Sequence, residues 1–209
     1  MTARVASLLF VVATLAACGG QDPSLGGGDA AIVDDAGVTT AEESLALQSL
    51  REEEKLAHDV YVALDARAPV FANISASEQT HTDAVRTLLL RYGVPDPAQG
   101  RAAGSFTNPT FQTLYGALTT RGSASTVAAL QVGAEIEELD ITDIRAMRAV
   151  VTRPDVSATL DTLERGSRNH LRSFWRQLQS AGGTYTPSHL DAATFRAIAE
   201  SAMETGAGR

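Results

Sequence analysis

FANISASEQTHTDAVRTLLLRY, residues 71–92, is the stretch whose reading decides the fold. Phe71, Ile74, Glu78, His81, Val85, Leu88 and Tyr92 recur at three- and four-residue steps, which is one face of an α-helix. Two members of that face are not apolar. Glu78 and His81 sit mid-stripe, where the helix should enter a core, and an ionised carboxylate there is costly without a partner. A carboxylate and an imidazole one turn apart can share a metal ion. The stretch therefore predicts a helix that carries ligands inward.

The same pattern extends to the flanking segments. Thr40-Ala41-Glu42-Glu43 fits a capping box, with Glu43 reaching back to the cap. Leu47, Leu50, Glu54, Ala57, Tyr61 and Leu64 then form a stripe containing Glu54, with Glu53 at its edge and Glu52 and Lys55 expected in solvent. Pro69 breaks the chain before the second helix. Gly93, Pro95 and Pro97 end that helix. Asn108-Pro109 opens a short helix to about Thr120. A third long helix is expected from Ser123 or Ser125 to about Val151, with Glu137 and Asp140 on its stripe. A second apolar line there (Val132, Ile136, Leu139) would instead turn Glu135 inward. A fourth runs from Pro154 to about Ala181, with Ser167 and His170 facing in. Gly166, inside it, implies either close approach of a neighbour or a π-bulge. A last short helix is expected after a Ser188 cap. No stretch alternates with period two for long enough to predict a strand.

Four long helices thus bring Glu54, Glu78 with His81, Glu137 with Asp140, and His170 into apolar stripes. At ~4 Å and an effective dielectric of ~20, each pair of like charges costs about 4 kcal/mol. Protons, cations or arginines must relieve this, and Arg86, Arg145, Arg148, Arg165 and Arg168 mostly fall off the stripes. Metal ions are the favoured solution. Cys18 is the only cysteine, so a thiolate site and an internal disulfide are excluded. The donor set suits iron, manganese or zinc.

The first eighteen residues read as a secretory leader. Arg4 is followed by an apolar run from Val5 to Ala13 and by Leu15-Ala16-Ala17-Cys18, a run too short to span a membrane. This resembles a bacterial lipoprotein signal. The resemblance implies lipidation at Cys18, a membrane partner through that anchor, and a bacterial cell-envelope location, with the outer membrane favoured over the inner. Residues 19–39, rich in Gly, Asp and Ala, read as a disordered tether. Residues 40–190 form the expected domain and 191–209 a C-terminal helix and tail. The net charge of -8 argues against nucleic acid as a partner. A homodimer is the assembly considered.

Glu53-Glu54-Lys55-Leu56-Ala57-His58-Asp59-Val60-Tyr61, Phe71-Ala72-Asn73-Ile74 with Ser77-Glu78-Gln79-Thr80-His81, Ile136-Glu137 with Asp140-Ile141, and Gly166-Ser167-Arg168-Asn169-His170-Leu171 together resemble the DUF2202 family. That resemblance implies an all-α, ferritin-like antiparallel four-helix bundle with a short crossover helix. The ferritin-like di-iron pattern is Glu, E-x-x-H, Glu, E-x-x-H over four helices. Glu54, Glu78 with His81, Glu137 and His170 match it, and Ser167 stands where the fourth Glu belongs. Asp140, one turn from Glu137, is the candidate replacement ligand, ahead of Glu164. The implied cofactor is iron or manganese, one or two ions per chain. The implied function is a metal-binding envelope protein, redox-active toward oxygen or peroxide. The alternative is a non-enzymatic lipid-anchored bundle with a structural, partner-binding or loose metal-storage role. Whether the chain is an enzyme stays open at this point.

Overall fold

The computed structural model describes residues 39–206; the leader, Cys18 and nearly all of the tether lie outside the described residues. The described chain is helical, without strands: α1 (Ala41–Leu64), α2 (Val70–Arg91), α3 (Pro109–Gly122), α4 (Thr126–Met147), α5 (Pro154–Ser180) and α6 (Ala192–Ala199), with a 3-10 turn at Asp65–Arg67. Caps place the starts. The side chains of Thr40, Asn108, Ser125 and Asp191 accept from the first-turn amides of α1, α3, α4 and α6, and proline opens α3 and α5. α4 stops at Met147, a turn earlier than its apolar pattern suggests. None of these helices is long and apolar enough to cross a membrane.

α1 packs along α2 and α4 along α5, and the two pairs meet through α2–α5 and α1–α4. α3 crosses over between the pairs, against α1 and α4. The apolar core is split in two. One cluster gathers Tyr61, Phe71, Phe111, Leu130, Leu171 and Phe174; the other gathers Leu47, Leu50, Val85, Leu88, Ile144 and Leu160. Between them, on each long helix, lie the ionisable residues: Glu53 and Glu54, Glu78 and His81, Glu137 and Asp140, and His170 beside Ser167, all buried.

Several sequence expectations need correction. Glu52 and Lys55 are buried, not in solvent, because the crossover loop folds over them. Glu52 accepts from the amides of Thr107 and Asn108. Lys55 pairs with Asp59, donates to the Ala102 carbonyl and lies over the Phe106 ring. Glu43 does not reach back to its cap; it turns to Arg153 at the start of α5 (3.2 Å). Ser188 is not the cap of α6, since Asp191 fills that role. The amides of Ser188, His189 and Leu190 instead converge on Glu138 Oε2 at 3.0, 2.8 and 2.9 Å, so the turn wraps a buried anion as backbone nests do. Glu138→Ala leaves these amides without their acceptor and should lower stability by roughly 2–3 kcal/mol. A drop in the urea midpoint, with loss of amide protection confined first to residues 188–199, is the expected outcome.

Candidate metal centre

The layer between the two apolar clusters is built from the middle of each long helix. In α2 the three-residue spacing puts Glu78 and His81 on one face. His81 Nδ1 lies 2.8 Å from Glu78 Oε2 and 3.3 Å from Glu54 Oε2 of α1. His170 of α5 reaches the other oxygen: its Nδ1 lies 2.7 Å from Glu78 Oε1 and 3.5 Å from Glu137 Oε2 of α4. Glu78 therefore faces one imidazole with each oxygen, and the two rings stack 5.4 Å apart. These side chains make two groups able to hold a cation: Glu54, Glu78 and His81, and Glu78, Glu137 and His170.

Neither Nδ1 makes an aligned hydrogen bond despite these short approaches, and the buried Glu54 Oε1 also lacks a partner. Atoms that share one ion at about 2.1 Å and right angles lie about 3 Å apart. Convergence at that spacing without hydrogen-bond geometry is what a ligand set requires, so the residues fit a metal. Of the residues the sequence singled out, five meet in the two groups. Asp140 stands beside them. Its Oδ2 lies against the Ser167 hydroxyl, and its Oδ1 is buried without a partner. Glu164 is engaged elsewhere by Arg145, Arg148 and Arg168. Glu135 turns outward to Arg121, which settles helix four of the chain, α4, in favour of Glu137. Glu53 is as buried as its neighbour, but it bonds Asp143 rather than either imidazole.

Two supporting residues escape a reading by motif. Tyr61, fully buried, donates to Glu137 Oε1 at 2.6 Å; its place on an apolar stripe marked it only as core. Ser77 lies 2.9 Å from His170 Nε2, the kind of contact that fixes a ligand imidazole from behind. Gly166 answers the question its helix posed. α5 is α-helical throughout, and a Cβ at 166 would fall 2.5 Å from both Cε1 and Nε2 of His81. The glycine makes room for the ring.

The electrostatics follow from burial. Desolvation raises Glu54 and Glu137 to about 7, even against the pull of the neighbouring imidazoles. It also lifts Glu53 and Asp140 well above the usual carboxylate range. Burial pushes Glu78 up as well, but His170 and His81 outweigh it and hold that carboxyl low. Burial opposes charging the imidazoles, yet Glu54 and Glu78 raise His81 to about 12 and Glu78 and Glu137 raise His170 to about 10. Without a cation the layer holds protons, and a divalent ion would displace them.

The sequence pattern described as "Uncharacterized protein domain (DUF2202)" matches residues 43–202. The chain belongs to the DUF2202 family. It is similar to "Uncharacterized protein MJ0754" of the archaeon Methanocaldococcus jannaschii, 43% identical over 80% of this chain and 92% of that protein. It is also similar to the crystal structure of the hypothetical protein MJ0754 from Methanococcus jannaschii, with a TM-score of 0.77 and 40% identity, covering 87% of this chain and 100% of that one. An archaeal relative lends no support to the expectation of a bacterial outer-membrane lipoprotein.

Two outcomes follow from the geometry. In chelator, the folded protein keeps protons on Glu54 and Glu137 up to about pH 7, whereas the unfolded chain releases them near 4.5. Stability therefore falls as pH rises between these values, and falls further as unfolded histidines, but not His81 or His170, lose their protons. Glu78 works in the opposite sense, and its contribution is lost below about 4.5. The metal-free urea midpoint should be lower at pH 8 than at pH 5. Gly166→Ala gains up to about 1 kcal/mol of helix propensity but drives His81 off its carboxylates. A net loss of roughly 1–2 kcal/mol in urea unfolding is expected; a gain would show that the imidazole moves aside freely.

Proposed function

We propose that this chain is a ferritin-like metal protein that holds iron or manganese between its two apolar clusters and is redox-active toward oxygen or peroxide. The observation that carries the reading is the pair of donor groups sharing Glu78. Glu54, Glu78 and His81 would hold one ion, and Glu78, Glu137 and His170 a second, with Asp140 as a further oxygen donor. Iron or manganese bound there would supply one-electron chemistry. The chain's own part is to orient and to exclude water. Tyr61 steadies Glu137, Ser77 steadies His170, and the flanking apolar clusters keep bulk water out of the layer. We place the protein in the cell envelope, anchored by lipid at Cys18, on the character of its leader.

A second reading is a non-enzymatic bundle with a structural, partner-binding or loose metal-storage role. Ser167 favours it. This fully buried hydroxyl occupies the place of a bridging carboxylate and is taken up by Asp140 and the Leu163 carbonyl.

Metal counting separates the two. The protein is loaded with Fe(II) or Mn(II) without oxygen, desalted, and its metal per chain measured by mass spectrometry beside a Glu78→Ala/His81→Ala double variant. Two ions in the wild type and at most one in the variant are expected, with peroxide consumption lost in the variant. A folded wild type that retains no ion would overturn the metal reading and leave the non-enzymatic one.

A further inference from the structure

The two imidazoles of the layer are alike on their inner side and different on their outer side. His170 Nε2 is held by Ser77. Among the described residues His81 Nε2 has no hydrogen-bond partner, and it abuts the backbone of Gly166. His81 also lines a recess of about 280 Å³ between α2 and α5, open to solvent and walled by Thr80, Ala84, Ala158, Thr159, Thr162 and Leu163.

The chemistry of this recess is specific. Among the described residues no arginine, lysine, aspartate or glutamate lines it, and with its Nδ1 on an ion His81 is a neutral ring, so a charged ligand would find no side-chain counter-ion there. Each threonine spends its hydroxyl proton on a carbonyl one turn back, to Ala76, Asp155 and Ala158 respectively. The walls therefore offer hydroxyl oxygens as acceptors. With Nδ1 turned to the carboxylates and an ion, Nε2 carries the proton and is the donor of the pocket. One donor, several acceptors and no charge match a small neutral molecule that itself both donates and accepts.

We infer that the recess beside His81 is a binding subsite for a small uncharged hydroxylic molecule of the hydroperoxide class, which accepts from His81 Nε2 and donates to a threonine oxygen. This rests on the metal reading above and deepens it. It selects hydrogen peroxide or a short alkyl hydroperoxide over an anionic oxidant, and it makes the centre asymmetric, with a ligand-accessible His81 side and a closed His170 side. The acidity of the whole chain, net charge -8, works in the same direction by repelling anions.

The test uses protein loaded with Zn(II), which is redox-silent, and labelled with ¹⁵N-histidine. Zinc per chain is measured first. Hydrogen peroxide, and separately azide, is then titrated while the ring nitrogens are followed through their two-bond proton couplings. A saturable shift of His81 Nε2 with peroxide, with His170 unmoved and no saturable response to azide, is the expected result. Ala158→Leu, at an exposed position on the recess wall, should fill the space, retain the zinc, and weaken the peroxide response about tenfold or more; Ala84→Leu is the second filling variant should the first fail to fold. Full zinc with no saturable peroxide shift, with a saturable azide shift, or with an undiminished response in a folded filled variant overturns the subsite while leaving the metal reading intact. A wild type that binds no zinc, iron or manganese overturns both.

Discussion

Burying carboxylates together is the constraint to which the rest of this structure answers. Five of them, Glu53, Glu54, Glu78, Glu137 and Asp140, lie in one layer with only two imidazoles. At several kcal/mol per like-charged pair, such a layer cannot persist as bare anions. The protein meets the demand by geometry. Glu78 gives one oxygen to each histidine, the remaining acids are left to protons or to a cation, and an apolar cluster lies on either side of the layer. Helix order, the position of Gly166 and the placement of Tyr61 are intelligible as consequences of keeping this layer intact.

The contrast with the other buried acids is instructive. Glu43 meets Arg153. Glu52 meets the amides of the crossover loop, and Glu138 those of the turn before α6. Glu164 is surrounded by three arginines. Each has a cationic or backbone partner suited to an ordinary structural carboxylate. The acids of the central layer have each other, two histidines, the hydroxyls of Tyr61 and Ser167, and unpartnered oxygen atoms. Burial alone does not separate these classes; the identity of the partner does.

That distinction also explains how far the sequence could be read. Stripe periodicity places the helices within a residue or a turn, because caps at Thr40, Asn108 and Ser125 and prolines at 109 and 154 are local signals. It also places Glu54, Glu78, His81, Glu137 and His170 on inward faces. It misplaces Glu52 and Lys55, since a helix face predicts exposure only where nothing folds over it, and the covering loop lies more than forty residues away in the chain. It misses the parts played by Ser77 and Tyr61, and it leaves Gly166 between a close neighbour and a π-bulge, because a supporting contact is a fact about two elements at once. The choice of Asp191 over Ser188 as a cap is of the same kind. Glu138, from another helix, recruits the amides of Ser188, His189 and Leu190.

The three amides gathered on Glu138 set a lower limit on the folding unit. The four long helices end at Ser180, and from contacts among them alone the chain could stop there. A chain shortened to that point would take from Glu138, fully buried in the intact fold, the three amides held by its Oε2, and by removing Phe195 and Tyr185 it would uncover Trp175. The last helix is small, yet the turn that leads into it belongs to the packed unit, because an anion in the middle of α4 is met by backbone that this turn supplies.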